Sequence, residues 1–172
     1  MRVILTVVLA VLFSSAAQAQ MHQHQPYAGM EKRSIKALSD QQIADLRDGR
    51  GMSLALAAEL NGYPGPSHVL EHAEALNLTA AQHEKIQALF NSMQAEARAI
   101  GATLIAQEGQ LDSLFARHEI DSDKLADSTR AIGETQALLR ATHLKYHLTT
   151  AELLTPDQNK RYAELRGYAS KP

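Results

Sequence analysis

The sequence predicts an all-α protein: a long antiparallel helical hairpin with shorter helices before it and one short helix after it. No proline occurs between Ser67 and Thr155, and this stretch is rich in Ala, Leu, Glu, Gln and Arg, which favour helices. Apolar residues along it recur every three or four positions, as on one face of a helix. Ser or Thr followed three positions later by Gln occurs before each of three helices, which is the capping-box pattern.

The first 19 residues resemble a signal peptide. Arg2 precedes an apolar stretch from Val3 to Phe13, and the small residues after it end in Ala17-Gln18-Ala19, the pattern of a cleavage site. The stretch is too short to span a bilayer. We therefore expect cleavage after Ala19 and a periplasmic protein. Residues 20–34 show no periodicity and are expected to form a flexible, His-containing tail, and residues 35–172 a single helical domain.

Capping boxes and prolines divide the remaining chain into helices. The boxes begin at Ser39, Thr79 and Thr155, and Pro156 occupies the first helical position after the last of them, where a missing amide hydrogen costs nothing. The segment from Gly62 to Pro66 contains two prolines and two glycines and predicts a turn. The helices are expected near residues 40–60, 67–76, 80–117, 122–153 and 156–166.

The two longest helices carry the hairpin. The third has a coiled-coil seam at steps of three and four, and the fourth has apolar residues seven apart. The connection at residues 119–121 is short, which makes the two helices antiparallel neighbours. The seam residues of the third helix are Ile86, Phe90, Met93, Ala97, Ile100, Leu104, Gln107, Leu111 and Leu114; those of the fourth are Leu125, Ile132, Leu139, Tyr146 and Leu153.

A second apolar stripe lies on the opposite side of the fourth helix, at Ala137, Ala141, Leu144 and Leu148. One partner helix cannot cover both stripes. Either the N-terminal helices cover the second stripe or another copy of the protein does. We expect a homodimer.

Composition excludes several classes of function. The chain has no cysteine, so disulfides, thiolate catalysis and cysteine-ligated metal centres are absent. Its formal charge of -2 is too close to neutral for a nucleic-acid-binding protein. No protease, nucleotide-binding or hydrolase motif occurs, so we expect neither an enzyme nor an organic cofactor.

Histidines are the candidate metal ligands. His68 with His72, and His143 with His147, are spaced four residues apart on expected helices, so each pair projects on one side. Together the pairs would supply four nitrogens, a set that suits zinc, copper, nickel or cobalt. The alternative is that these histidines are polar residues at the edges of the seam. Glu71, Glu74 or Glu84 could add an oxygen ligand.

A separate candidate site lies at the new N-terminus that cleavage after Ala19 would create. A free amine with His22 at mature position three could chelate Cu²⁺ or Ni²⁺ there, with His24 beside it. Met21 or Met30 could add a soft ligand for Cu⁺. Cyclisation of Gln20 would remove the amine.

The boxes Leu78-Thr79-Ala80-Ala81-Gln82 and Leu154-Thr155-Pro156-Asp157-Gln158 flank the hairpin and resemble the LTxxQ family of periplasmic stress proteins over residues 67–168. This resemblance implies a helical hairpin dimer and one of two functions. One branch contains ATP-independent chaperones similar to Spy and CpxP, which bind unfolded clients. The other contains heavy-metal resistance proteins and sensors similar to ZraP and CnrX, some with a membrane signalling partner.

The histidine pairs favour the resistance branch, and their order is similar to that of the sensors. The sequence departs from the sensor pattern at three positions: Phe90 replaces a carboxylate, Tyr146 a histidine and Thr150 a thioether. The prediction is an exported, non-enzymatic stress or heavy-metal resistance protein that binds a transition metal through helix histidines. The alternative is a chaperone, for which Met52, Met93 and the surplus apolar faces would provide an adaptable client surface.

Overall fold

The structure, a computed structural model, describes residues 27–168. The expected signal peptide and the expected ligands His22 and His24 lie outside these residues. A 3-10 turn at Met30–Lys32 precedes six α-helices, and no β-strand occurs among residues 27–168, so the predicted all-α class is confirmed. The helices are α1 Asp40–Asp48, α2 Leu56–Glu59, α3 Pro66–Glu71, α4 Ala80–Ala116, α5 Ser122–Leu153 and α6 Pro156–Leu165.

The predicted hairpin is formed by α4 and α5, which pack against each other along their length. His118 adopts a left-handed φ of 55° just after α4, and Asp121 caps α5 by accepting a hydrogen bond from the amide of Lys124 at 2.8 Å. All three predicted capping boxes are present, with both hydrogen bonds of each box formed. The chain therefore begins α1, α4 and α6 where the sequence pattern indicates.

The prediction of one helix over residues 40–60 is wrong. Helix α1 ends at Asp48 because Gly49 adopts a left-handed φ of 68° and closes the helix. Met52 and Ser53 also have positive φ, of 41° and 66°, so the chain turns twice before the four-residue helix α2. The expected helix over residues 67–76 is shorter as well: α3 ends at Glu71, and a series of turns leads to Asn77.

Two apolar clusters hold the shorter helices against the hairpin. One packs α1 on the middle of the hairpin, and the other packs α3 and α6 at the hairpin base. The first cluster contains Leu38, Ile43, Leu46, Ala97, Leu104, Ile132 and Leu139. The second contains Val69, Leu76, Ile86, Leu154 and Tyr162. Between these clusters, α2 and the segment that precedes α3 lie against α5, and this is where the buried histidines occur.

The second apolar stripe of α5 is largely uncovered in the protomer. Ala137, Ala141 and Leu148 are exposed, and Leu144 is half-buried. The N-terminal helices therefore do not cover this stripe, and the expected homodimer stays a prediction. Across residues 27–168, no helix is both long enough and apolar enough to cross a membrane.

Candidate metal centre

A cavity of about 530 Å³ lies between the segment that joins α1 to α3 and the hairpin, at the N-terminal half of α4 and the C-terminal half of α5. Its floor is formed by Phe90, Met93 and Gln94 of α4 and by two histidines of α5. Residues 49–68 cover it from the other side. The residues with ligand-type side chains in its lining are Met52, Glu59, His68, Glu71, Met93, His143 and His147.

His147 is buried and fixed in orientation by the covering segment. Its Nδ1 lies 2.7 Å from the carbonyl oxygen of Tyr63; since a carbonyl only accepts, Nδ1 carries the proton and donates. The ring lies against Gly65, where a Cβ atom would stand 2.8 Å from Nε2. A metal-binding histidine commonly donates its other ring nitrogen to a carbonyl in this way. The bond therefore leaves the Nε2 lone pair of His147 available to an ion.

His143, one turn earlier on α5, is more deeply buried, with 2 % of its surface exposed. Its Nε2 is buried and has no hydrogen-bond partner. Burial, and second the nearby His147, lower the pKa of His143, which favours the neutral imidazole. A buried polar atom without a partner is costly, and one explanation for such an atom is a ligand that it binds.

Glu59 is a buried carboxylate at the edge of the cavity. Its Oε1 accepts hydrogen bonds from the hydroxyls of Tyr162 and Tyr168, and the Nε of Arg166 lies 3.5 Å away. Its Oε2 accepts from the amide of Gly65 at 3.1 Å. This network joins α2 to α6 and holds the covering segment against the histidines. Burial and the bond to Glu59 raise the pKa of Tyr162, which stays a donor.

The structure separates the first histidine pair. His68 lines the cavity and donates from Nδ1 to the Oε2 of Glu71 at 3.0 Å. His72 packs edge-on against the ring of Tyr162, with centroids 6.4 Å apart, and is not part of the cavity lining. His68 therefore shares a cavity with His143 and His147, whereas His72 faces the α6 cluster.

The donor set fits an ion only in part. Among residues 27–168, no group of three or more His, Asp or Glu side chains is close enough to hold a metal ion. The site with four imidazoles therefore stays a prediction. Two features do fit a ligand role: the unpartnered Nε2 of His143 and the fixed orientation of His147. Glu74 and Glu84, the other suggested oxygen ligands, are exposed and lie outside this cavity.

Several residues that surround the buried histidines were not predicted from the sequence. Glu59, Tyr63 and Gly65 lie in a segment assigned to a helix end and a turn, and nothing in its local pattern indicates contact with α5. Met52 and Met93, which the chaperone alternative assigns to a client surface, both line the histidine cavity. The proline and glycine residues at 62–66 were the available signal that the chain here comes close to another element.

Comparison with known proteins gives one match. The sequence model of the heavy-metal resistance family matches residues 52–161, more than half of the chain, from the covering segment through the hairpin to α6. Comparisons with curated proteins and with solved structures gave no significant match. The matched range includes Met52, Glu59 and both histidine pairs. The chain belongs to the heavy-metal resistance family.

Proposed function

We propose that this protein is a non-enzymatic, exported metal-binding protein, in which His143 and His147 of α5 bind a transition metal ion inside the cavity covered by residues 49–68. The observation that carries the proposal is the Nε2 of His143, which is buried without a partner one turn from a second, oriented imidazole. Membership of the heavy-metal resistance family supports the same conclusion.

The protein's own groups prepare this site in two ways. The carbonyl of Tyr63 fixes the ring of His147, so little side-chain entropy is lost when Nε2 gains a ligand. Burial keeps His143 neutral, so no proton has to leave its ring before an ion binds at neutral pH. The ion would supply a positive charge that satisfies both lone pairs. His68, at the rim of the cavity, is the nearest candidate for a third nitrogen.

Isothermal titration with Co²⁺, Ni²⁺, Zn²⁺, Cu²⁺ and, anaerobically, Cu⁺ tests the proposal. The double variant His143→Ala/His147→Ala should lose at least about tenfold in affinity, a loss of about 1.4 kcal/mol. His83→Ala is the matched control, because His83 is exposed at the start of α4 and outside the cavity. The variant His68→Ala/His72→Ala tests whether the first histidine pair contributes to the affinity in addition to the histidines on the cavity floor. Unchanged binding in the His143→Ala/His147→Ala protein would overturn the proposed site.

The proposal includes export to the periplasm with removal of residues 1–19. Mass spectrometry of the protein from a periplasmic fraction should give a chain that begins at Gln20. A chain that retains residues 1–19, found in the cytoplasmic fraction, would contradict this part of the proposal.

A second candidate function, an ATP-independent chaperone, is favoured by the uncovered face of the hairpin. Leu138 and Leu148 of α5 are 56 % and 51 % exposed, and Leu138 borders a shallow apolar groove between α4 and α5. Suppression of the aggregation of a denatured enzyme, without ATP, tests this function. Leu138→Gln/Leu148→Gln should abolish suppression, and Leu60→Gln, at an equally exposed leucine outside the face, should not.

The same face is where we expect a second copy to pack. The groove is lined by Ala99, Ile100, Leu138 and Ala141, with Glu96 and Lys145 at its rim. Native mass spectrometry reports the oligomer directly. A dimer that dissociates in Leu138→Gln/Leu148→Gln would support the homodimer. A monomer at micromolar concentration would favour an open client surface instead.

A further inference from the structure

We infer that the histidine cavity is selective for a soft monovalent ion, Cu⁺ or Ag⁺, bound by the imidazoles of His143 and His147 together with the thioethers of Met52 and Met93. This inference rests on the proposed function, since it names the class of ion that the same site takes. It is based on the metal-ligand atoms that remain free in the cavity and on the charge of the cavity lining.

The carboxylate that faces the histidines is already engaged. Glu59 accepts from the hydroxyls of Tyr162 and Tyr168 and from the amide of Gly65, and Arg166 lies within 3.5 Å. Its side chain is 7 % exposed. Both oxygens already accept hydrogen bonds, which an ion bound to either oxygen would weaken. Glu71 is 57 % exposed and paired with His68, so no free buried carboxylate faces the cavity.

The free donors are nitrogen and sulfur. Met93 is a buried residue of α4, and Met52 is half-buried in the covering segment; both line the cavity with His143 and His147. Thioether sulfur is a soft ligand that selects Cu⁺ over harder divalent ions, and imidazole binds both classes. Zn²⁺, Co²⁺ and Ni²⁺ gain little from a thioether and would lack a carboxylate here.

The charge of the ligands and of the cavity lining also favours a monovalent ion. An imidazole or a thioether brings no charge to a bound ion, and the cations Arg50 and Arg166 in the lining balance the carboxylates of Glu59 and Glu71. The cost of burying an ion rises with the square of its charge, so a divalent ion without a carboxylate partner is penalised far more than a monovalent one. A neutral set of nitrogen and sulfur ligands leaves a net charge of only +1 in the cavity when a monovalent ion binds.

Met52 follows directly after a residue that lies against His143. Gly51 lies against the His143 ring, where a Cβ atom at position 51 would stand 3.8 Å from Nδ1. Met52 follows with a φ of 41°, a conformation that non-glycine residues seldom adopt. Met52 therefore lies at the border between this cavity and the α1 cluster, against which it also packs.

Competition titration compares the full-length mature protein with Met52→Leu/Met93→Leu, using Ag⁺ as a redox-inert probe and Cu⁺ under anaerobic conditions. Leucine conserves volume, so the fold should be kept. We expect Ag⁺ and Cu⁺ affinity to fall at least about tenfold, and any Zn²⁺ or Co²⁺ affinity to stay within about twofold. Ile105→Leu, at a half-buried residue of α4 outside the cavity lining, is the control and should leave every affinity unchanged.

The outcomes separate this inference from the proposed function. Binding of Zn²⁺, Co²⁺ or Ni²⁺ through His143 and His147 without Ag⁺ or Cu⁺ binding would overturn the soft-ion inference and keep the metal site. Equal loss of Ag⁺ and Zn²⁺ affinity in Met52→Leu/Met93→Leu would show damage to the cavity and reject thioether ligation. Unchanged Ag⁺ affinity would reject it as well. Failure of all these ions to bind would overturn both proposals.

Discussion

The side-chain amides of Gln82 and Gln158 are paired to each other across the base of the hairpin. Gln82 donates from Nε2 to the Oε1 of Gln158 at 2.8 Å, and Gln158 donates back to the Oε1 of Gln82 at 3.1 Å. Each Oε1 also accepts the N-cap amide of its own helix, at Thr79 and at Thr155. The two capping boxes therefore begin α4 and α6 and also join these two helices to each other.

Removing either glutamine should destabilise the hairpin base. Gln82 also donates to the carbonyl of Leu153 at 2.8 Å, so Gln82→Ala loses several half-buried hydrogen bonds, worth about 2 to 3 kcal/mol in the free energy of unfolding. Gln42→Ala is the control, because Gln42 makes the same capping box at an exposed helix start; we expect a loss of less than about 1 kcal/mol.

Urea unfolding of Gln82→Ala, Gln158→Ala and the double variant measures the coupling between the boxes. Because the two side chains contact each other, the effects should be non-additive by at least about 0.5 kcal/mol. Strictly additive losses would mean that the boxes act independently as caps.

Two glycines in the hairpin should respond in opposite ways to alanine. At Gly101 of α4 a Cβ atom would stand 2.5 Å from the carbonyl oxygen of Leu46, so Gly101→Ala forces α1 away and should cost about 2 kcal/mol. At Gly133 of α5 a Cβ atom would meet nothing within 4 Å beyond its own stretch of helix, and alanine should stabilise the helix by about 0.5 to 1 kcal/mol. Thermal unfolding decides the signs; stabilisation by Gly101→Ala would disprove the close approach of α1.

Helix starts were predictable here, and helix ends were less so. Capping boxes give α1, α4 and α6 their first residues because the signal is local. The end of α1 has a local signal in Gly49, which adopts the left-handed conformation where the chain lies against Gln94 and Arg98 of α4. Met52 and Ser53 have no sequence preference for positive φ, so no local rule predicts the turn between Gly49 and α2.

The two tyrosines that bind Glu59 should contribute unequally to stability. Tyr162 is 2 % exposed, so Tyr162→Phe removes a buried donor to a carboxylate and should cost about 1.5 to 3 kcal/mol. Tyr168 is 39 % exposed, and Tyr168→Phe should cost less than about 1 kcal/mol because water can replace its hydroxyl. Denaturant unfolding compares the two. Equal losses would show that Glu59 is not buried behind α6.

Stability should fall with acid because of His143. Its pKa in the folded protein lies below the ordinary value of 6.5, through burial first and His147 second. The unfolded chain therefore binds a proton at His143 before the folded chain does, so stability is complete above about pH 6.5 and decreases as the pH falls towards the folded pKa.

Urea unfolding between pH 5.5 and 7.5 tests this linkage. The uptake of one proton can change the free energy of unfolding by at most about 1.4 kcal/mol per pH unit. The variant His143→Gln should lose the contribution of His143 to this pH dependence. His83→Gln, at an exposed site, should keep the wild-type slope. A wild-type slope in the His143→Gln protein would place the responsible group elsewhere.

The candidate site shows what sequence spacing leaves open. The spacing of His143 and His147 predicts that both lie on one face of α5, and both are buried there. Spacing cannot decide which segments cover that face. His68 reaches the cavity and His72 does not, because α3 ends at Glu71 and His72 packs against Tyr162 instead. The thioethers come from separate elements, and the turn after α1 places Met52 in the lining of the same cavity as Met93.

Anomalous X-ray diffraction from crystals of the protein with one equivalent of Ag⁺, and separately of Co²⁺, tests the central claim most directly. The account predicts an anomalous peak bonded to the Nε2 atoms of His143 and His147, with the sulfurs of Met52 and Met93 as neighbours in the Ag⁺ crystals. A stoichiometric ion bound elsewhere, with both Nε2 atoms free of it, would contradict the account.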